Sequence, residues 1–205
     1  TGCQYVLAAA GRKPNLTGID CDQLGLAMNG PFISVDQRQR TNLDGVYAIG
    51  DVAGGWQLAH AAYAEANAAL ADLMGKDDPP PGERPVPVCT YTIPCFASVG
   101  LTAQAAQAKG FEPLLGSFSY EANGMALAEG ASGTVFAVMD KQSKRTLGMT
   151  VVGENAPEMI AFAAAAVEEG TTLEQWEQRI VAHPSLCEMV REAALDAFGM
   201  SVHKG

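Results

Sequence analysis

The chain has 205 residues, 48% of them hydrophobic, and a net charge of −10, so it is long enough to bury a sizeable core in one or two domains. The negative balance speaks against nucleic acid or an anionic membrane surface as a partner, because both are polyanions. Five cysteines, an odd number without metal-ligand spacing, imply a reducing compartment, the cytoplasm, with most thiols inert in a core and no metal site.

In chain order, Tyr5 to Ala10 (YVLAAA) is a short apolar run that reads as a strand and leads into Gly11-Arg12-Lys13-Pro14-Asn15. Val46, Tyr47, Ala48 and Ile49 form a second unbroken run, the pattern of a strand covered on both faces. Gly50 then lets backbone approach a ligand closely, and Asp51 offers a carboxylate that accepts hydrogen bonds from hydroxyls. Such a strand end suits a polyol; a turn closed by an Asx hydrogen bond is the alternative. Gln57-Leu58-Ala59-His60 opens an alanine-rich helix that runs to about Met74. A helix start of this kind presents free N–H groups and a partial positive charge. The two early strands have no sequential partners, so this region should lack most of its parent sheet.

From Gly75 to Pro87 charge and proline replace the helical pattern and make a stiff connector. The chain accordingly divides into residues 1–80, a connector at 81–87 and a second domain at 88–205. In that domain Val86 to Tyr91 reads as a strand, and Thr102 to Lys109 as a helix capped by Thr102 and ended by Gly110. Pro113 to Tyr120, Gly133 to Asp140 and Thr146 to Gly153 read as further strands, the last two joined by the polar turn Lys141 to Arg145. Helices follow from near Asn155, Thr172 and Ser185. Strands followed by helices on a mainly antiparallel sheet make this an α+β domain, behind an α/β remnant. The helix with Ala161, Ala163, Ala164, Ala165 and Ala166 either admits close approach by another helix or packs on its own sheet. Its apolar run, Met159 to Val167, is too short to span a bilayer.

Near the end stands His183-Pro184-Ser185-Leu186-Cys187-Glu188. Ser185-x-x-Glu188 before Met189, Val190, Ala193, Ala194 and Phe198 reads as a capping box, with Glu188 returning to the Ser185 N–H. Cys187 is either redox-active beside His183 or a small buried residue. His203, in a polar tail, reads as solvated surface.

Taken together, Gly11, the Gly50-Asp51 turn, Gln57 to His60 and the His-Pro with a Glu five residues after the His resemble the FAD/NAD-linked pyridine nucleotide-disulfide oxidoreductases, specifically the dihydrolipoamide dehydrogenase branch. The resemblance covers essentially the whole chain. It implies that Asp51 binds the ribityl chain of FAD, that Gly50, Gln57, Leu58, Ala59 and His60 lie at the flavin, and that Gly11 lies near the nicotinamide nucleotide. It also implies that His183 is the acid/base of a thiol–disulfide step, oriented by Glu188, with Pro184 beside it in the cofactor region and the redox disulfide on the opposite subunit of a homodimer. An imidazole suits this work, because a dithiol must lose a proton near neutral pH before its thiolate can attack. Residues 88–205 would then be the dimerisation domain, and the substrate a dithiol, on a lipoyl carrier in that branch.

The chain also departs from that pattern. No Gly-x-Gly-x-x-Gly occurs, although each dinucleotide needs a glycine turn at a helix N-terminus. No Cys-x4-Cys occurs, and Cys89 and Cys95 are separated by five residues. The resemblance therefore implies the C-terminal part of a longer flavoprotein, which alone binds neither FAD nor NAD tightly. Val181 stands where the branch usually has a second His, and Cys95, Ala103 and Met125 replace its usual Glu, Glu and Arg. A glutathione-reductase-type enzyme and a flavin-free dimerisation module are the alternatives.

Overall fold

The computed structural model describes residues 2–76 and 84–203, which form two compact units, Thr1–Arg84 and Pro85–Gly205. Of the connector expected at 81–87, residues 81–83 lie outside the described ones.

The first unit begins with extended chain. A single helical turn, α1 (Cys21–Leu24), starts where Asp20 Oδ1 accepts the Gln23 N–H at 2.9 Å. Strands β1 (Met28–Asn29) and β2 (Phe32–Ile33) pair as an antiparallel hairpin. One turn of 3-10 helix, Gly50–Val52, precedes α2 (Ala59–Leu73), whose start and end lie where the alanine-rich pattern put them. The two early strand readings do not hold. Tyr5, Val6 and Leu7 belong to no strand and are 91%, 84% and 91% exposed. In the Val46–Ile49 run only Ala48 is buried, and its one ladder contact is an isolated bridge between Tyr47 and Arg40. An apolar run becomes a strand only when a neighbouring strand takes its N–H and C=O groups in register, and among the described residues of this unit the second run has only single bonds to the adjacent turn, such as Ala48 N–H to the Gln39 carbonyl at 3.1 Å. A polar cluster anchors α2 instead. Asp72, in its last turn, accepts the Tyr47 hydroxyl at 2.6 Å and Arg40 Nε at 2.5 Å, with Arg38 Nη1 at 3.5 Å.

The second unit is α+β. Its five strands, β3 (Val88–Thr90), β4 (Phe96–Gly100), β5 (Pro113–Ser119), β6 (Gly133–Asp140) and β7 (Thr146–Gly153), form one antiparallel sheet in the order β3-β4-β7-β6-β5. Period-2 alternation sends Val135, Ala137 and Met139 of β6, and Met149 and Val151 of β7, into the core, while Phe136 faces out. In this unit β4, the 3-10 turn Tyr120–Ala122 and the short helix α4 (Gly124–Glu129) have no counterpart in the sequence reading. Helix α3 (Ala103–Ala108) has the expected cap, Thr102 Oγ1 accepting the Ala105 N–H at 3.1 Å.

The remaining helices cover the sheet. In α5 (Ala156–Glu169) Ala156, Met159, Ile160, Ala163 and Ala166 are buried against β4 and β7, so packing on its own sheet describes that face, while Ala161 and Ala165 stay exposed. Helix α6 (Leu173–Gln178) opens with a complete Thr172/Gln175 capping box and buries Trp176, whose Nε1–H donates to Thr146 Oγ1 at 2.8 Å. Helix α7 (Glu188–Asp196) lies on β5 and β6. Gly116 makes that approach possible, because a Cβ there would lie 2.0 Å from the Ala193 carbonyl oxygen.

Candidate functional site

The chemistry-bearing groups of the second unit gather at the start of α7. After α6 the chain runs as a loop through Ile180, which is 98% exposed, to a cis His183–Pro184 peptide. The Ser185 hydroxyl donates to the Ala182 carbonyl at 2.7 Å, and Asn123 Nδ2 donates to the Ser185 carbonyl at 3.0 Å. Asn123 is buried, and its Oδ1 caps α4 by accepting the Ala126 N–H at 2.9 Å. One amide therefore ties the loop to a second element.

Glu188 is the first residue of α7, and its two oxygens do different things. Oε1 lies 2.9 Å from His183 Nδ1, and Oε2 accepts the Ser185 N–H at 2.8 Å. The capping box is thus half built. Ser185 turns its hydroxyl back to Ala182, and the N-cap position falls on Cys187, which makes no side-chain cap. Partial burial pushes the Glu188 carboxyl up, but the Ser185 N–H, the His183 ring and the positive charge that His203 carries when protonated more than offset this, leaving it below the usual glutamate range. An ionised Glu188 places the proton of a neutral His183 on Nδ1 and leaves Nε2 as the nitrogen that can take a proton. The His183 side chain is 81% exposed, so a substrate can reach it. Burial pushes the Cys187 thiol up, which disfavours a thiolate there.

In the first unit, the Gly50–Val52 turn carries Asp51 with its side chain half exposed. Gly50 has a φ of +68°, and its N–H donates to Glu65 Oε2 at 2.7 Å, so α2 holds the turn. Arg12 Nη1 lies 3.4 Å from both Asp51 Oδ2 and the Gln57 carbonyl. Gln57 itself is left-handed, with a φ of +52°, and its side-chain Nε2 is buried without a hydrogen-bond partner among the described residues. A non-glycine residue in this region marks a constrained backbone. Leu58 caps α2 with no side-chain bond, and Ala59 and His60 are exposed. Gly11, with a φ of +124°, has nothing within 4 Å of where a Cβ would stand.

A ligand offering hydroxyls to Asp51 and an acceptor to Gln57 Nε2 fits this turn. Sequence reasoning missed Arg12, Glu65 and Asn123. Arg12 adjoins Gly11 in an unusual run, but Glu65 and Asn123 work across 15 and 62 residues and leave no local pattern. Among the described residues no group of three or more His, Cys, Asp or Glu side chains gathers as a metal site, and no helix is long and apolar enough to cross a membrane.

Residues 86–194 match the dimerisation domain of the pyridine nucleotide-disulphide oxidoreductases, and residues 1–66 match the pyridine nucleotide-disulphide oxidoreductase family as well. The dihydrolipoyl dehydrogenase of Bacillus subtilis (strain 168) is 37% identical over 99% of this chain and 44% of its own length. That of Halobacterium salinarum is 39% identical over 98% of this chain and 42% of its own. The crystal structure of LpdA from Mycobacterium tuberculosis superposes with a TM-score of 0.82 at 27% identity, over 89% of this chain and 40% of that one. The HOCl-induced flavoprotein disulfide reductase RclA from Escherichia coli shares the fold, with a TM-score of 0.83 at 24% identity over 91% of this chain and 43% of its own. The chain thus spans less than half the length of these relatives. It belongs to the pyridine nucleotide-disulphide oxidoreductase family.

Proposed function

We propose that this chain works as the C-terminal portion of an FAD-dependent, NAD-linked disulfide oxidoreductase of the dihydrolipoamide dehydrogenase type, with His183 as its acid/base and Glu188 as the residue that orients it. The observation that carries the reading is the 2.9 Å contact between His183 Nδ1 and a Glu188 carboxylate whose other oxygen is pinned by the Ser185 N–H. A ring held in this way points its second nitrogen's chemistry at solvent.

His183 Nε2 takes a proton from a substrate dithiol, and the resulting imidazolium is stabilised by the Glu188 carboxylate. The thiolate so formed attacks a disulfide supplied by the portion of the enzyme that precedes this chain, and the electron pair leaves with that disulfide's sulfur. Over a turnover, dithiol and NAD⁺ give disulfide, NADH and a proton. The flavin supplies the redox relay between sulfur and nicotinamide when it is bound. Of the residues here, Asp51 would hold it by accepting from a ribityl hydroxyl, Gln57 Nε2 would donate to it, and Leu58, Ala59 and His60 would present the start of α2 to the ring. Gly11 would lie by the nicotinamide nucleotide, and Pro184 would adjoin a cofactor when one is bound.

We place residues 88–205 as the dimerisation domain of a cytoplasmic homodimer, with 1–80 completing the nucleotide-binding region and 81–87 joining them. Each His183 then serves the disulfide of the opposite subunit, and the dithiol is lipoyl, on a carrier protein. Anaerobic titration of the complete enzyme carrying this sequence tests the reading. Dihydrolipoamide should bleach the flavin absorbance and NAD⁺ should restore it. Reduction by NADPH that is discharged by glutathione disulfide, with no response to dihydrolipoamide, would assign it to the glutathione-reductase type.

A further inference from the structure

Ser185 is bonded at three points. Its N–H donates to Glu188 Oε2 at 2.8 Å, its hydroxyl donates to the Ala182 carbonyl at 2.7 Å, and its own carbonyl accepts Asn123 Nδ2 at 3.0 Å. The first two bonds, like the 2.9 Å contact of His183 Nδ1 with Glu188 Oε1, join residues within 182–188 and would turn with them as one piece. The third reaches the loop from 62 residues away and fixes that piece against the rest of the second unit. Leu186 also packs against the core cluster, but an apolar contact sets depth without direction, whereas a hydrogen bond is directional.

Asn123 is itself held from several sides. It is 6% exposed, its N–H donates to the Tyr120 carbonyl at 3.0 Å, and its carbonyl accepts the Leu127 N–H at 3.0 Å. Tyr120 is fully buried in turn, with its hydroxyl donating to the Glu154 carbonyl at 2.7 Å. The amide has one orientation that works. Its Oδ1 accepts the Ala126 N–H at 2.9 Å, so a flip would set an NH2 against that N–H and an oxygen against the Ser185 carbonyl. Nδ2 is therefore a donor fixed in place before the loop reaches it.

We propose that Asn123 is a positioning residue for His183: through the Ser185 carbonyl it holds the residue whose N–H aims Glu188, and Glu188 fixes which ring nitrogen carries the proton. Loss of the Nδ2 donor alone lets Ser185 turn, frees Glu188 Oε2 and loosens the contact with His183 Nδ1. The neutral ring then returns to the Nε2–H tautomer that an unpaired histidine prefers, and the nitrogen that should accept a proton is already occupied. The catalytic consequence rests on the proposed function; the hold on the tautomer does not.

Nitrogen-15 NMR of the histidine rings in the whole chain, at a pH where they are neutral, is the test, since only three histidines have to be assigned. Asn123→Ser and Asn123→Asp both keep an oxygen to cap α4 but take away the amide N–H that reaches Ser185. In the parent His183 should carry its proton on Nδ1. In both variants it should shift towards Nε2–H, while the His60 and His203 signals stay in place. A His183 ring that keeps its proton on Nδ1 in either variant overturns the proposal, and the amide then only caps α4. In the complete enzyme the same variants should slow reduction by the dithiol, by up to about 10²-fold, and leave reoxidation by NAD⁺ unchanged. A tautomer that changes while dithiol reduction keeps the parent rate would uphold the hold of Asn123 on the ring and contradict the proposed function instead.

Discussion

At the residue scale, Glu188 carries two bonds that sequence presents as rivals. Its spacing from His183 and from Ser185 is visible in the chain, because a helix start brings residues three and five apart to one place. What could not be read is that both bonds form at once, one from each oxygen. Nor could Asn123 be found, since its hold on the Ser185 carbonyl joins residues 62 apart. Glu188→Gln keeps one acceptor oxygen, turns the other into an NH2 donor and removes the charge. It should lower thermal stability slightly, by about 0.5–1 kcal/mol, as for a weakened cap. In the complete enzyme it should slow dithiol oxidation less than loss of His183 does. The pH dependence gives the sign. A carboxyl held below its ordinary value adds stability above the ordinary range and loses it as pH falls through the folded value. Comparing thermal unfolding of Glu188→Gln with the parent as the pH is lowered from neutral should therefore show the difference closing on the acid side.

At the element scale, the strands legible in sequence were those with partners to match their pattern. Gly133–Asp140 and Thr146–Gly153 appear with the expected bounds because alternation, a polar turn and a facing strand all agree. Strand β4 was missed because Phe96-Ala97-Ser98-Val99 mixes small and polar residues, and only its pairing with β3 and β7 makes it a strand. The Val46–Ile49 run failed for the opposite reason, having the composition but only an isolated bridge to Arg40 in place of a ladder. What replaces the ladder is the Asp72 cluster, and its energetics are testable. The Arg40 guanidinium and then the Tyr47 hydroxyl hold the Asp72 carboxyl down at about 2. A depressed carboxylate adds stability above its unfolded value, about 3.8, and loses it as pH falls towards about 2. Asp72→Asn should then speed amide exchange across α2 at neutral pH, and the excess over the parent should shrink as the pH falls through that window.

At the scale of the whole molecule, the two units differ in what they can do alone. The second has a continuous core that includes Trp176, Tyr120, Met139 and Met149, all at most 1% exposed. The first leaves Tyr5, Val6 and Leu7 bare. No glycine-rich loop for a diphosphate occurs in the sequence. The purified chain should accordingly be colourless, and stoichiometric flavin released on denaturation would contradict this. It should also self-associate through the dimerisation domain, so light scattering over a range of concentrations should report a dimer, and a strictly monomeric mass would count against the assignment.

The role of His183 is tested most directly by stopped-flow kinetics of the two half-reactions in the complete enzyme. His183→Gln should slow reduction of the enzyme by its dithiol about 10²–10⁴-fold, the usual contribution of a positioned acid/base group, while reoxidation by NAD⁺ and flavin content change little, since hydride transfer needs no imidazole. Equal slowing of both half-reactions, or an unaltered dithiol step, would show that the His183–Glu188 pair only holds the loop in place.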